Sequence, residues 1–343
     1  MKTRKLLVAA AATIAAVTTC ALFSPSASAQ YPGPGPTPVF TDNFGHGSTT
    51  DGTSTPGGTP TASSTSYDFV SPKPAGDAIV GTGDLNAWMT NTSSAYMECA
   101  AVFTSTPVNL QTTGDYIDFI LEFTDTANLT IPATQNQLGI GLFNSYGTAP
   151  LANNLITGAT NTTGGGVQNW TGYSSDLFSK GASGSTSAKI LNRGSQTATV
   201  GNQDLLFSDT AADTYNGVKG SSLINGTATA TAVLTNGVAY TEDFRVTLTG
   251  SGQLTVTNTL YLGSGTGGTV LFTYGGYSNS VPSTTFDSLA FGWLEKVNTA
   301  PTTQDVSLVE ISDSIAVVPE PSTWMLLAAG LAMMVGLVRG RRS

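Results

Sequence analysis

The sequence predicts an all-β protein, an antiparallel jelly-roll sandwich with an apolar helix at each end. Three observations predict it. First, Asp, Glu, Lys and Arg make up only 10% of the 343 residues, with 6 Glu and 7 Lys, too few to clothe the solvent faces of a helical bundle or coiled coil. Second, threonine stands in their place, with 54 residues beside 39 glycines, and apolar residues alternate with it at period two through the interior of the chain. Third, that alternation gives way at the two ends, where residues 6–23 and 324–338 are uncharged, predominantly apolar runs.

The N-terminal run follows a basic tip of Lys2, Arg4 and Lys5 and leads into Ser26-Ala27-Ser28-Ala29-Gln30. Ala27 and Ala29 are the small residues a signal peptidase reads. Residues 1–29 are therefore expected to form a signal helix, taken up by the secretion machinery and cut after Ala29. A lipoprotein reading would use Cys20, but Thr19 directly before it fits poorly. Residues 30–38 are a stiff Pro/Gly-rich leader.

One β-sandwich domain is expected over residues 39–313. Val39–Phe44 opens it as a short strand, and the Gly/Ser/Thr/Pro stretch 45–66 reads as a long loop. Tyr116–Phe123 alternates strongly. Gln137–Phe143 follows, its glycines marking close packing or a bulge. Thr227–Leu234, Phe244–Leu248, Leu254–Leu260 and Val270–Phe272 form a meander, with turns at Asn236-Gly237, Ser251-Gly252 and 263–268. Phe286–Trp293 and Val306–Ile311 complete the series, with Trp88 and Trp293 expected in the core. Residue Cys99, in the strand-like stretch 95–103, reads as a small buried hydrophobe, with a reactive thiol as the alternative. No fixed repeat appears, which disfavours a propeller or solenoid.

The C-terminus runs Val317-Val318-Pro319-Glu320-Pro321, then an apolar stretch from Trp324 to Val338, then Arg339-Gly340-Arg341-Arg342-Ser343. Fifteen helical residues span about 22 Å at ~1.5 Å each, short of a ~30 Å hydrocarbon core, a mismatch that thinning and snorkelling absorb. The arginines would stay cytoplasmic and the body outside. Pro-Glu-Pro, a short apolar helix and a terminal arginine cluster together resemble the PEP-CTERM sorting signal of Gram-negative bacteria that make exopolysaccharide. The resemblance assigns residues 317–343 to that signal, with transmembrane helix 324–338. It makes Pro319, Glu320, Pro321, Arg339, Arg341 and Arg342 the sorting residues and an exosortase, a membrane cysteine protease, the partner. It implies export across the inner membrane, anchoring through the C-terminus before processing, and then residence at the cell surface or in the extracellular matrix. An ordinary tail anchor is the plainer alternative.

The body resembles the concanavalin A-like lectin/glucanase superfamily in the order of its elements: an opening Asp42-Asn43-Phe44, a central meander over 244–272, and a close of Phe286–Gly292 with Asp305–Glu310. The resemblance implies that the first and last strands pair.

Chemistry is sparse. The single histidine, His46, sits between glycines, a poor mount for the base of a nucleophilic triad. Zinc sites of His and Cys lack ligands. The glucanase string Glu-x-Asp-x-x-Glu does not occur. Asp118 and Glu122 share a strand face with Ile120 between them, so a solvated or groove-facing surface is the first reading and a catalytic pair the second. A calcium site would use Asp209, Asp213 and Asn216, or Asp42 and Asn43, against the plainer role of capping turns. Glycan platforms would be Trp170, Tyr173, Tyr274 and Tyr277, in Gly/Asn-rich segments, against core packing.

Charge narrows the partners. Residues 31–318 hold 7 cations and 21 carboxylates, a net charge of −14, and no basic patch, so no nucleic acid is expected. The expectation is a non-enzymatic matrix or adhesive protein, without a required cofactor, contacting extracellular polysaccharide. A polysaccharide hydrolase or lyase is the alternative.

Overall fold

The computed structural model describes residues 36–44, 68–70, 76–80, 85–89, 95–125, 137–147, 170–180, 186–194, 205–206, 222–226, 234–250, 252–278, 283–295 and 302–315, all within the unit Pro36–Ser343. Both expected terminal helices, Ala27, Ala29 and the 317–343 tail lie outside these residues, as do His46, Asp209, Asp213 and Asn216. No helix among the described residues is long and apolar enough to cross a membrane.

Seventeen strands are described: β1 (Thr37–Asp42), β2 (Asp68–Val70), β3 (Gly76–Val80), β4 (Leu85–Met89), β5 (Ala95–Val102), β6 (Val108–Asn109), β7 (Tyr116–Asp125), β8 (Gln137–Asn144), β9 (Thr171–Lys180), β10 (Thr186–Arg193), β11 (Ser222–Gly226), β12 (Ala239–Gly250), β13 (Gln253–Leu262), β14 (Thr269–Ser278), β15 (Thr285–Phe286), β16 (Ser288–Glu295) and β17 (Thr302–Ser314). They form an eight-stranded sheet ordered β14-β13-β12-β7-β17-β4-β3, with β1 also on β17, and a seven-stranded sheet ordered β11-β10-β9-β8-β16-β5-β2. Strands β15 and β6 form a small separate pair. Every described pairing is antiparallel, and the first and last strands pair, Thr37 opposite Asp313.

The inner faces follow the alternation. Ile117, Phe119, Leu121 and Phe123 of β7, Phe244 and Val246 of β12, and Leu254, Val256 and Leu260 of β13 meet Leu138, Ile140 and Leu142 of β8 and Leu289, Phe291 and Trp293 of β16 in one core. Cys99 is part of that core. Trp88 lies on β4 opposite Thr303.

The meander turns where expected, because glycine alone takes the required backbone without a Cβ penalty. Gly252 turns β12 into β13 at φ 71°, and Gly263 and Gly265 turn β13 into β14. The close packing read from the glycines of Gln137–Phe143 is present: a Cβ on Gly141 would stand 2.8 Å from the Phe143 ring.

Other features depart from the reading. The stretch from Phe286 to Trp293 is not one strand. It breaks at Asp287, whose carboxylate accepts from Ser145 N, Ser145 Oγ and Ser288 Oγ at 2.7–2.8 Å. Strands β9 and β10 come from polar segments without strong alternation and are central in their sheet. The outer face of that sheet is also covered. Phe143, Trp170, Ala100 and Ala290 form a second cluster with Leu205 and Leu206. Buried Glu98 holds that lid by accepting from Leu205 N at 2.8 Å and Leu206 N at 3.0 Å.

Candidate functional site: an acidic cleft on the eight-stranded sheet

The outward half of the alternation on β7, β12 and β17 builds a cleft. Burying Phe119 and Leu121 turns Asp118, Ile120 and Glu122 outward, and burying Phe244 turns out Asp243 and Arg245. On β17, Val309 and Ile311 point in, so Leu308 and Glu310 point out.

Register places these residues in rows. Asp118 lies between Arg245 and Ser312, Ile120 between Asp243 and Glu310, and Glu122 between Thr241 and Leu308. Pro36 and the Gly265-Thr266 turn add further walls to a cavity of about 290 Å³. Four carboxylates and one guanidinium line it.

The guanidinium is engaged. Arg245 donates to Asp118 through Nε at 2.5 Å and Nη2 at 2.8 Å, a bidentate pair. It also sits 4.4 Å over the Tyr116 ring. Burial pushes the Asp118 carboxyl up, against the hydrogen bond and charge of Arg245, which hold it down. Burial also works against the charged Arg245, but its hydrogen bonds to Asp118 and the charges of Asp118 and Asp243 outweigh it and raise its pKa. Asp243 is pushed up to about 6, by burial first and then by the charge of Asp118. Its Oδ1 is buried without a hydrogen-bond partner. Glu310 is raised by burial, then by Glu122 and Asp118. The cleft thus holds one neutralised acid–base pair beside carboxyls that protonate easily. It can accept hydrogen bonds from hydroxyl or ammonium groups and would repel anions.

The residues expected from sequence divide. Asp118 and Glu122 share the cleft, with Ile120 between them. The exposure expected of the aromatic platforms is not found at three of them. Trp170 and Tyr173 are fully buried and Tyr274 nearly so. Trp170 packs 6.2 Å from Phe143 and Tyr173 6.3 Å from Phe286. A ring closed in this way offers no face to a sugar. The physical reason is that Tyr173 and Tyr274 stand on strands β9 and β14, where alternation turns them inward, not on loops. Tyr277 lies on β14 opposite Thr255. Asp42, offered as a calcium ligand, is buried and accepts from Phe44 N at 2.8 Å, which is the capping role. Among the described residues, no group of three or more His, Cys, Asp or Glu is placed to hold a metal.

Asp243, Arg245 and Glu310 escaped the sequence reading because they join Asp118 only through pairing across more than a hundred residues. Tyr146 escaped it as well. It is 60% exposed with φ 54°, in a turn tied by Asn144 Oδ1, which accepts from Tyr146 N at 2.9 Å. Its signal was the string Asn144-Ser145-Tyr146-Gly147, a turn sequence around an aromatic.

Residues 317–342 match the PEP-CTERM protein-sorting motif. That motif implies an exported protein, processed by an exosortase and destined for the cell surface. No curated protein matches the sequence. Solved structures similar to this chain include Lectin I from Ulex europaeus in complex with the methyl glycoside of α-L-fucose, at 11% identity over 74% of this chain and 94% of that one, TM-score 0.39. The exoplasmic/lumenal domain of VIP36, in a Ca²⁺/Man3GlcNAc-bound form, is similar at 14% identity over 75% of this chain and 86% of that one, TM-score 0.36.

Proposed function

We propose that this chain is a non-enzymatic structural or adhesive protein of the cell surface or exopolysaccharide matrix, delivered by its C-terminal tail. We place weak glycan contact at the acidic cleft. The observation that carries this reading is the sorting motif at 317–342, which follows β17 by two residues. The cleft supports the binding part: carboxylates accept from sugar hydroxyls, and Ile120 and Leu308 give an apolar floor. Signal peptidase, exosortase and the matrix polysaccharide are the partners in this reading, and no cofactor is required. The test is retention of the purified protein on exopolysaccharide from the producing cells, with Glu122→Ala and Glu310→Ala as variants. Retention that falls several-fold in the variants supports the cleft. No retention of wild type removes the glycan-binding part, leaving the structural one.

One observation favours a second reading, hydrolysis or lysis of a polysaccharide. Asp243 near pH 6 is a proton donor in reach of neutral conditions, in the same cleft as Glu122. Turnover of the polysaccharide that Glu122→Gln and Asp243→Asn abolish would establish it. No release of fragments by wild type would exclude it for that polysaccharide.

A further inference from the structure

The interior of the sandwich contains a polar island that neither alternation nor the cleft explains. Ser175 of β9 projects from the seven-stranded sheet, where its pairing partners are Ile140 and Ile190. Glu242, Asn258 and Tyr274 project from β12, β13 and β14 of the opposite sheet. All four are buried, at 0%, 1%, 0% and 6% exposure respectively. Asn258 Nδ2 donates to Ser175 Oγ at 2.6 Å and to Glu242 Oε1 at 2.7 Å. The Tyr274 hydroxyl touches Ser175 Oγ. Asn258 Oδ1 is buried without any partner, an arrangement folded proteins rarely leave standing.

We infer that Ser175 and Asn258 are the two ends of a self-formed ester cross-link between the sheets. The hydroxyl is a nucleophile 2.6 Å from the amide nitrogen, one bond from the carbon it would attack, and burial confines both groups to that neighbourhood. Ser175 Oγ bonds to Asn258 Cγ and the Cγ–Nδ2 bond breaks. The hydroxyl proton passes to Nδ2, and one ammonia leaves. Nothing is oxidised or reduced, and no co-reactant is consumed. The Glu242 carboxylate, already on Nδ2, faces the positive charge that develops as that nitrogen is protonated. The Tyr274 hydroxyl is placed to relay the proton as it leaves Oγ.

Two physical features favour the product. Enclosure keeps out the water that would hydrolyse an ester. The orphaned amide oxygen becomes an ester carbonyl, a weaker acceptor that is less costly to bury unpaired. The link would join residues 83 positions apart and staple two layers whose other contacts here are packing and hydrogen bonds.

The test is the intact mass of the full chain after expression and export, read in denaturant. The expected wild-type mass is lower than the sequence requires by one ammonia. Digestion should yield one linked fragment pair containing Ser175 and Asn258, released by mild base. Ser175→Ala should restore the full mass, and Glu242→Gln should leave a mixture. A wild-type mass equal to the sequence overturns the proposal, whatever the variants do. So does loss of ammonia without a linked pair, which would be ordinary cyclisation at Asn258.

Discussion

At the scale of single residues, the cleft is governed by which carboxyls are forced out of water. Asp243 is the clearest case, since burial and the neighbouring Asp118 move it from 3.8 to about 6. A carboxyl held protonated more tightly in the folded chain than in the unfolded one loses stability when it ionises. The cost is therefore absent in acid and grows as pH rises through that interval. Asp243→Asn should raise the melting temperature at pH 7.5, by a gain on the order of 1–2 kcal/mol after screening. The gain should shrink to a small fraction at pH 4 and vanish by about pH 3. Equal gains at pH 7.5 and pH 4 would sink the assignment. Arg245 has the opposite role, because its removal strands a buried carboxylate. Arg245→Ala should cost about 2 kcal/mol in urea unfolding, less than a fully buried pair because the arginine side chain is 43% exposed. Arg245→Lys should recover only part of this, since an ammonium cannot make the two-pronged contact.

At the scale of elements, two contacts fix how strands and their cover fit together. Strand β9 runs close to β8 because Gly172 has no side chain. A Cβ there would stand 2.8 Å from Phe143 Cα and collide with the Leu142 carbonyl. Backbone cannot yield as a side chain can, so Gly172→Ala should destabilise by about 2 kcal/mol or more, measured by thermal or urea unfolding. Glu98 gives the outer lid its anchor, and Glu98→Gln weakens two charge-assisted bonds. The expected outcome is faster amide exchange at Leu205 and Leu206 with the core strands unchanged. Unaltered exchange at those two amides would show that packing alone holds the lid.

The same elements show what could be read in advance. β7, β12, β13 and β17 were legible because each buries one face only, which leaves period two in the sequence. β9 and β10 were not, because they are central strands built from Ser, Gly, Asp and Lys, where position in the sheet outweighs composition. Tyr173 was mistaken for a loop aromatic for that reason, and Tyr274 because β14 runs on to Ser278, past Phe272 where the expected strand ended. Asp118 and Glu122 were found as a pair because they belong to one strand, whereas Asp243 and Glu310 were hidden by distance along the chain.

At the scale of the whole molecule, β17 is the hub. It pairs with β7 on one side and with β1 and β4 on the other, and its last residue is Ser314. A chain ending before Thr302 should therefore fail to fold. A chain cut after Pro321 should melt within a degree or two of the full protein. A large loss on the second cut would mean that the tail supports the body. The sequence by itself determined the all-β class, the acidic body and the sorting address, because composition, charge and a contiguous motif are written along one dimension. The tertiary structure alone decided the cleft and the Ser175–Asn258 contact. Both join strands remote in the chain, and the pairing that unites them is set by the burial of other residues, those on the opposite face of each strand.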